Sequence, residues 1–493
     1  MPTVAYTPND PLASGGPPNR QVAAGRFPGG NVATHRIQPA AAAGTYPPHT
    51  PGFEYWQALT ALNSGLRNWK AINGSALVRW YGDRQTLPVL TDNGDDLNAF
   101  YDRSSLQFFS HTFGGITVNS SESVDVVTHE QGHGFLDATR SDFFDVPFIE
   151  VGSLHEAFGD SMAILNAIAD SASREAVLAA SPDLSGNQFL ESLAEQLGDA
   201  IRREYGPQSV ESGALRHALN TFRWTDPTAL PPSAPADRLC GEVHSFSRVF
   251  SGAFYDVIRN IFTSGPRTSA GLLRAGRTAG KLLVAAVKTV PAAPQIYAAV
   301  GQRMLQADVA TNGGANCPAI QAAFERHGMT LAAPSTSLAV PFAARTRRGA
   351  SAELRERMGV SQGAKLTFTP VDSGAHGEIF HVAAFRSVAL SGPGLEGVSV
   401  RVPAAARVAR RGAAIQGMLG EVTPADGGAD TEARAFARAL VASGQVRTAP
   451  QATRRLAAAP QPTVDRPQRT ASHEIRILDG EPTLVRVGFL GCR

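Results

Sequence analysis

Apolar and polar residues recur along the chain with two different periods, which predict a mixture of helices and strands. The helical period appears over three stretches, 53–69, 246–262 and 270–290. The two-residue period that is typical of strands appears at 77–81, 86–90 and 106–109. Between residues 121 and 327 the pattern is mainly helical. These patterns predict an α+β unit.

The pattern changes after Pro334, where short strand-like runs dominate. Five strands are predicted at 365–369, 379–385, 398–402, 473–478 and 483–489, with one helix near 431–442. We therefore expect residues 52–333 to form the main domain and residues 335–493 to form a small β-rich C-terminal domain of unknown role. Residues 1–51 are rich in Pro, Gly and Ala, which predicts a disordered leader or a short pro-segment.

Composition narrows the class of protein. The 493 residues are 43% hydrophobic and carry a net charge of +2, which is typical of soluble domains and argues against a nucleic-acid partner. No apolar run reaches the roughly 18 residues of a membrane-spanning helix. No signal peptide is recognisable, so cytoplasmic residence and leaderless export are both open. The oligomeric state and the pairing of Cys240, Cys317 and Cys492 are open too.

The strongest chemical signal is the segment His129-Glu130-Gln131-Gly132-His133. Residues four apart share one face of a helix, so His129 and His133 are placed to direct two imidazole nitrogens at one metal ion. Small polar residues and acids precede the segment, as at the start of a helix. Glu130 lies one step round the helix and can reach a water molecule at the metal. The pattern predicts a catalytic zinc site.

Two later segments complete the predicted site. Ser153 marks a second predicted helix start, and Glu156 and Asp160 follow it on one helical face. A glutamate is the third ligand that two histidines need for a catalytic zinc site. Asp160 is suited to accept a hydrogen bond from the free ring N–H of a ligand histidine. His244 stands at the start of a third predicted helix.

Together these segments resemble the thermolysin-like zinc metallopeptidases, which belong to the gluzincin group. The matches are the His-Glu-x-x-His motif, Gly-x-x-x-Glu-x-x-x-Asp at 152–160, Val243-His244, Asn98-Ala99-Phe100-Tyr101 and Asp125-Val126-Val127. The resemblance covers about residues 50 to 330 and is loose between the motifs. It implies a two-lobed catalytic domain over 52–333, in which a small mixed sheet and the zinc helix precede a mainly helical lobe.

The resemblance assigns a role to each matching residue. His129, His133 and Glu156 would bind Zn²⁺, Glu130 would be the general base, and Asp160 would orient His129. His244 would stabilise the oxyanion. The remaining matches imply contacts with a polypeptide substrate: Asn98 and Ala99 with its backbone, Val126 and Leu215 with the side chain after the scissile bond, and Arg216 with that residue's carbonyl.

The chain also departs from the family pattern. The family's oxyanion tyrosine is missing, and Pro147 and Phe148 lie near its expected place. His155 replaces an asparagine and is a rival third ligand. Calcium is left open but unsupported, because Asp125 alone cannot supply the roughly six to eight oxygens that calcium needs.

These observations predict a zinc-dependent endopeptidase that prefers a hydrophobic residue after the scissile bond. The alternative is a weak or inactive zinc-site protein that uses the same fold as a binding module, which the missing tyrosine favours. A serine hydrolase is disfavoured because no Gly-x-Ser-x-Gly segment is present.

Overall fold

The computed structural model describes residues 2–332, 339–341, 347–374, 377–411, 414–419, 427–447 and 471–490. Its helices are α1 Pro51–Asn73, α2 Val124–Thr139, α3 Ile149–Ala169, α4 Ser171–Ala180, α5 Glu195–Tyr205, α6 Val243–Thr263, α7 Ser269–Thr289, α8 Ile296–Asn312, α9 Cys317–Arg326, α10 Arg347–Arg357 and α11 Gly427–Ala442. The three helices predicted from periodicity in the main domain correspond to α1, α6 and α7. No helix in the described residues is both long and apolar enough to cross a membrane.

The strands are β1 Thr3–Tyr6, β2 Arg20–Ala23, β3 Thr34–Gln38, β4 Thr86–Leu90, β5 Ala99–Tyr101, β6 Leu106–Phe108, β7 Ser110–Phe113, β8 Ile116–Asn119, β9 Ser192–Leu193, β10 Arg216–His217, β11 Ala339–Pro341, β12 Thr367–Gly374, β13 Gly377–Ala389, β14 Ser399–Arg411, β15 Ala414–Leu419, β16 Val446–Arg447, β17 His473–Leu478, β18 Glu481–Arg486 and β19 Phe489–Leu490. Helices and strands are mixed along the chain, which is compatible with the predicted α+β class.

A five-stranded sheet has the order β19-β5-β6-β4-β3. The β6, β4 and β3 strands are parallel, whereas β5 is antiparallel to both β6 and β19. The C-terminal strands form an eight-stranded sheet around the long antiparallel pair β13 and β14. Strand β19 therefore leaves the C-terminal region and joins the sheet of the main domain.

The N-terminal segment differs from its prediction as a disordered leader. Strands β1 and β2 pair with each other, and β3 extends the five-stranded sheet. Val4, Tyr6 and Ile37 are buried in the core. Alternate residues of β1 and β3 are buried on one side of each of these two strands, which the Pro and Gly content of the segment did not reveal.

The strand predicted at 77–81 is also absent. Trp80 forms only an isolated bridge to Arg84, and a 3₁₀ turn spans Tyr81–Asp83. Gly82 has a φ of 70° in this turn, where an L side chain would be strained. Val78 is 47% exposed, so the alternating apolar residues lack a neighbouring sheet to cover them.

The core of the main domain lies where α3 packs against α2. Residues 149–168 of α3 are all buried. A Cβ atom at Gly132 of α2 would lie 3.0 Å from the Cα of Gly159 in α3, and one at Gly159 would lie 2.7 Å from the His129 ring. These glycines allow the two helices to approach closely and bring their polar residues together.

Candidate metal centre

Helix α2 places the two motif histidines as expected. Ser123 caps the helix and accepts a hydrogen bond from the backbone N–H of Val126. His129 and His133 follow in the second and third turns, and both are buried. One potential ligand atom from each of His129, Glu130 and His133 lies within 4.8 Å of the others. The structure thus contains a buried cluster that could hold a metal ion.

Helix α3 brings Glu156 to this cluster, although the helix begins earlier than predicted. It starts at Ile149, so Ser153 is buried inside it rather than capping it. Glu156 Oε2 lies 3.3 Å from His129 Nε2, and Glu156 Oε1 lies 3.7 Å from His133 Nε2. A tetrahedral zinc ion with bonds of about 2.0–2.2 Å separates its ligand atoms by roughly 3.3–3.6 Å. These spacings fit a common metal ligand set.

The polar atoms of the cluster support this fit. His129 Nε2, Glu130 Oε2 and both carboxylate oxygens of Glu156 are buried but make no hydrogen bond within the described residues. Buried polar groups without partners are costly in a folded protein. Burial would raise the pKa of Glu156, but His244, His133 and His129 hold it well below its usual range. The site therefore holds an anionic ligand among potential nitrogen donors.

Asp160 orients His129 from the side away from Glu156. Its Oδ1 lies 3.0 Å from His129 Nδ1 and accepts a 2.7 Å hydrogen bond from Arg216 Nη2. Its Oδ2 accepts a hydrogen bond from Ser251 Oγ at 2.7 Å. Burial opposes ionisation of Asp160, but Arg216 and His129 outweigh it and lower the pKa of the carboxyl. Asp160 is thus an ionised acceptor for the His129 ring.

His155 lies behind His133. The Nδ1 atoms of the two rings are 2.8 Å apart, whereas His133 Nε2 points towards Glu156. Burial lowers the pKa of both rings, to about 3 for His133. Since the two nitrogens of an imidazole lie on different edges of the ring, His155 contacts the edge of His133 that faces away from the cluster. This placement suits a role in orienting His133 better than the role of a third ligand.

Glu130 and His244 stand on either side of Glu156. Burial raises the pKa of Glu130 to about 8. His244 Nε2 lies 3.4 Å from Glu156 Oε1, and its Nδ1 lies 2.6 Å from Glu242 Oε1. Burial disfavours the charged ring of His244, but Glu156 and Glu242 outweigh it and raise its pKa to about 9. His244 is therefore held as a cation next to the cluster.

An apolar pocket opens beside His129 and Glu130. It is lined by Val126 and Leu215, as expected, and by Ala163, Leu193 and Leu197, and Ala99 and Arg216 also contribute to its wall. Asn98, the other predicted backbone contact, lies next to Ala99 but is 3% exposed, and its Oδ1 accepts a hydrogen bond from the Ala99 N–H. The structure thus gathers most of the predicted substrate-contact residues around one pocket.

The residue near the expected oxyanion tyrosine supplies no hydroxyl group. Phe148 is fully buried and precedes the first turn of α3. Instead, a second cavity on the other side of Glu156 is lined by His244 and by Arg486 from β18. Arg486 is buried, which lowers its pKa to about 10. The guanidinium group of a distant strand therefore lies on this side of the cluster.

Sequence reasoning missed three residues that support the site. Glu242 is the N-cap of α6, and an acid before a predicted helix is a signal that could have been used. Ser251 lies seven residues after His244, which places both near one face of α6. Arg486 has no such signal, because it is brought to the site only by the packing of the C-terminal strands.

Asp125 belongs to another group of buried acids. Burial raises the pKa of Asp125, and the nearby carboxyls of Asp10 and Asp160 raise it further, while Asn9 Nδ2 donates a hydrogen bond to its Oδ1 at 3.0 Å. Burial, Asp10 and Asp125 raise the pKa of Glu195 to about 10. We call Asp10, Asp125 and Glu195 the acid cluster. Within the described residues, the carboxylate oxygens of the acid cluster do not lie as close to one another as the ligand atoms of His129, Glu130 and His133 do. A calcium site therefore stays unsupported.

No protein-family model matches the chain, and a search of curated proteins finds no match either.

Proposed function

We propose that the protein is a zinc-dependent endopeptidase with a thermolysin-like fold over residues 52–333. The observation that carries this proposal is the meeting of His129 and His133 with Glu156, at 3.3 and 3.7 Å, beside the buried carboxyl of Glu130. Two imidazoles and one carboxylate are the donor set of a common class of catalytic zinc site.

The ligands would be His129, His133 and Glu156. A zinc ion bound there would act as a Lewis acid and lower the pKa of a bound water molecule. Asp160 keeps the His129 ring in the tautomer that exposes the Nε2 lone pair, because its carboxylate accepts from Nδ1. His155 Nδ1 lies 2.8 Å from His133 Nδ1, and a hydrogen bond between these two atoms would hold the orientation of the His133 ring.

Glu130 is suited to be the general base. Its carboxyl is 1% exposed, so water does not compete for its oxygens, and burial raises its pKa to about 8. A base with a pKa close to the working pH both accepts and returns a proton efficiently. Glu130 would take a proton from the attacking water and pass it to the leaving amine.

His244 would donate a hydrogen bond to the oxyanion. Glu242 holds its Nδ1 and favours the cationic ring, which leaves Nε2 as a donor on the side of Glu156. One lost oxyanion donor typically costs about 10²–10³ in rate. The absence of a hydroxyl group at Phe148 therefore predicts slower catalysis than a site with both donors would give.

The substrate would be an extended polypeptide. The edge of strand β5 that faces away from β6 is suited to pair with a strand-like partner, although β19 occupies it in this structure. The apolar pocket lined by Val126, Leu193, Leu197 and Leu215 lies beside Glu130. This arrangement supports a preference for a hydrophobic side chain after the scissile bond.

Replacing the base tests the proposal. Glu130→Gln should retain zinc, because Gln keeps the shape of the side chain and the proposed ligands are untouched, but it should lose peptide cleavage. Glu175→Gln, on the exposed side of α4, is the matched control and should keep both. Substantial residual cleavage by Glu130→Gln in a fluorogenic peptide assay would contradict the assignment of the base.

A non-catalytic zinc-site protein is the second candidate. Two observations favour this candidate. The side chains of Glu130, His133 and Glu156 are each at most 1% exposed, and position 148 is a phenylalanine, which has no hydroxyl group. The two candidates differ in one measurement. The folded, zinc-loaded protein is tested against a broad peptide library after the site has been made accessible. If it cleaves no peptide, the binding role is supported.

A further inference from the structure

The outer edge of strand β5 is occupied by the C-terminal strand of the same chain. One edge of β5 pairs with β6, and the other pairs with β19 through Phe489 opposite Tyr101 and Leu490 opposite Phe100. No other strand in the described residues pairs with that edge. The strand proposed to receive a peptide substrate is thus already paired.

The direction of β19 is relevant to the site. The pairing is antiparallel, so the chain runs from Tyr101 towards Ala99 as it passes from residue 489 to residue 490. Ala99 lines the apolar pocket together with His129 and Glu130. Strand β19 therefore points along the sheet edge towards the metal centre, as an extended ligand would.

The segment before β19 is anchored over the same region. The backbone N–H of Val487 donates to Ser472 O at 2.8 Å, and a Cβ atom at Gly488 would lie 3.5 Å from Tyr101 O. A Cβ atom at Gly152 of α3 would lie 3.2 Å from Arg486 Nη2. The chain is thus held close to both β5 and the helix that carries Glu156.

Helix α11 covers the neighbouring side of the site. Glu432 Oε1 accepts a 3.4 Å hydrogen bond from the backbone N–H of Glu150, in the first turn of α3. Phe436 and Leu440 line the cavity that also contains Glu156 and His244. The C-terminal region therefore contributes to the burial of the metal centre.

We propose that β19 is an intramolecular occupant of the peptide-binding edge and that its displacement opens the site to substrates. This inference rests on the proposed function for the role of the β5 edge and for the identity of the displacing ligand, whereas the pairing of β19 with β5 does not depend on it. The occupant pairs with two of the three residues of β5, so it forms few backbone hydrogen bonds, and an extended peptide that binds the same edge can displace it. The C-terminal strand would regulate access by competition for one sheet edge.

Amide hydrogen exchange tests the occupancy without using catalysis. The full chain is compared with a chain that ends at Gly488 and with the double variant Phe489→Pro, Leu490→Pro, which keeps the length but removes two N–H donors. Exchange at Tyr101, the residue of β5 opposite Phe489, should rise by at least about tenfold in both altered chains. Strand β4 lies between β6 and β3, so its unchanged protection controls for folding. Unchanged protection of β5 would overturn the inference.

Adding the strand back in trans tests competition. The probe is a labelled synthetic peptide of residues 487–493 carrying Cys492→Ser, which removes the thiol as a zinc ligand. With metal-free protein, it should bind the chain that ends at Gly488 at least about tenfold more tightly than the full chain, because the edge is free only in the former. Equal affinity for both chains would overturn the inference.

Cleavage assays separate this inference from the proposed function. The zinc-loaded chain ending at Gly488 should cleave an unstructured polypeptide at least about tenfold faster than the full chain, because more molecules have a free edge. If exchange rises but neither chain cleaves, the occupancy stands and the peptidase proposal fails. If both chains cleave equally and exchange is unchanged, the peptidase proposal stands and the occupancy fails.

Discussion

Helix α2 contributes to two buried groups of carboxyl residues that lie about one turn apart. Asp125 belongs to the acid cluster, whereas His129, Glu130 and His133 meet Glu156 and Asp160 at the metal centre. Both groups are buried, yet the pKa values of Glu156 and Asp160 move in the opposite direction to those of Asp125 and Glu195, whereas the pKa of Glu130 is also raised. Burial and mutual repulsion raise the pKa values of Asp125 and Glu195, while histidines and Arg216 lower those of Glu156 and Asp160.

The comparison shows that burial alone does not determine the charge of an acid. Both groups lose the solvation of water, which favours the neutral carboxyl. At the metal centre, Asp160 accepts hydrogen bonds from Arg216 and Ser251 and contacts the His129 ring. In the acid cluster, both oxygens of Glu195 make no hydrogen bond within the described residues. Neighbouring donors therefore decide which carboxyls are ionised and available to a metal.

The largest expected effect is on zinc binding, which should depend on the metal centre and not on the acid cluster. Glu156→Ala should lower zinc affinity by more than the roughly 10–100-fold that loss of a supporting partner costs, because it removes a proposed ligand. Glu195→Ala is the matched control and should keep zinc. Metal analysis after dialysis against a weak chelator measures both. Equal zinc content in the two variants would refute Glu156 as a ligand.

The second effect concerns the stability of the metal-free protein. Asp160→Asn should lower the free energy of unfolding by about 3–5 kcal/mol, because it removes the carboxylate that pairs with the buried Arg216 guanidinium. Ser251→Ala keeps that pair and should cost about 1.5–3 kcal/mol. Denaturant titration measures both values. A cost for Asp160→Asn no greater than that for Ser251→Ala would contradict the importance of the ion pair.

The third effect is a pH dependence of stability in the acid cluster, and it is small over any single pH unit. The pKa of Glu195 is raised from 4.5 to about 10, so above pH 4.5 the folded protein holds a proton that the unfolded chain releases. Stability should therefore fall as pH rises, by at most about 1.4 kcal/mol per unit for this group. Glu195→Gln removes this contribution, so the variant should gain stability over the natural chain between pH 5 and 8.

Thermal unfolding of the metal-free natural chain and of Glu195→Gln, at pH 5 and at pH 8, checks whether the advantage of the variant grows as pH rises. An equal difference between the two chains at pH 5 and pH 8 would show that Glu195 does not hold its proton. Added calcium provides a second comparison. If calcium raises the stability of the natural chain at pH 8 but not that of Glu195→Gln, the acid cluster binds calcium, and the raised pKa of Glu195 does not prevent it.

Local sequence pattern predicted much of the main domain. The spacing of apolar residues located α1, α6 and α7 and strand β4, because each of these elements buries one regular face. The four-residue spacing of His129 and His133 predicted their common face, and the same reasoning paired Glu156 with Asp160. The predictions of a disordered N-terminal leader and of a strand at 77–81 were wrong, because burial in these two regions depends on neighbours that lie far away in the chain.

The sequence by itself thus determined which residue types could hold a metal and on which helical faces they lie, since helix geometry is a local property. Only the tertiary structure decided that α2 and α3 approach through Gly132 and Gly159 and bring Glu156 within 3.3 Å of His129. It also decided that β19 pairs with β5 and that Arg486 reaches the site. The last two contacts join residues separated by hundreds of positions, and even the contact between α2 and α3 joins different helices, so no local period encodes any of them.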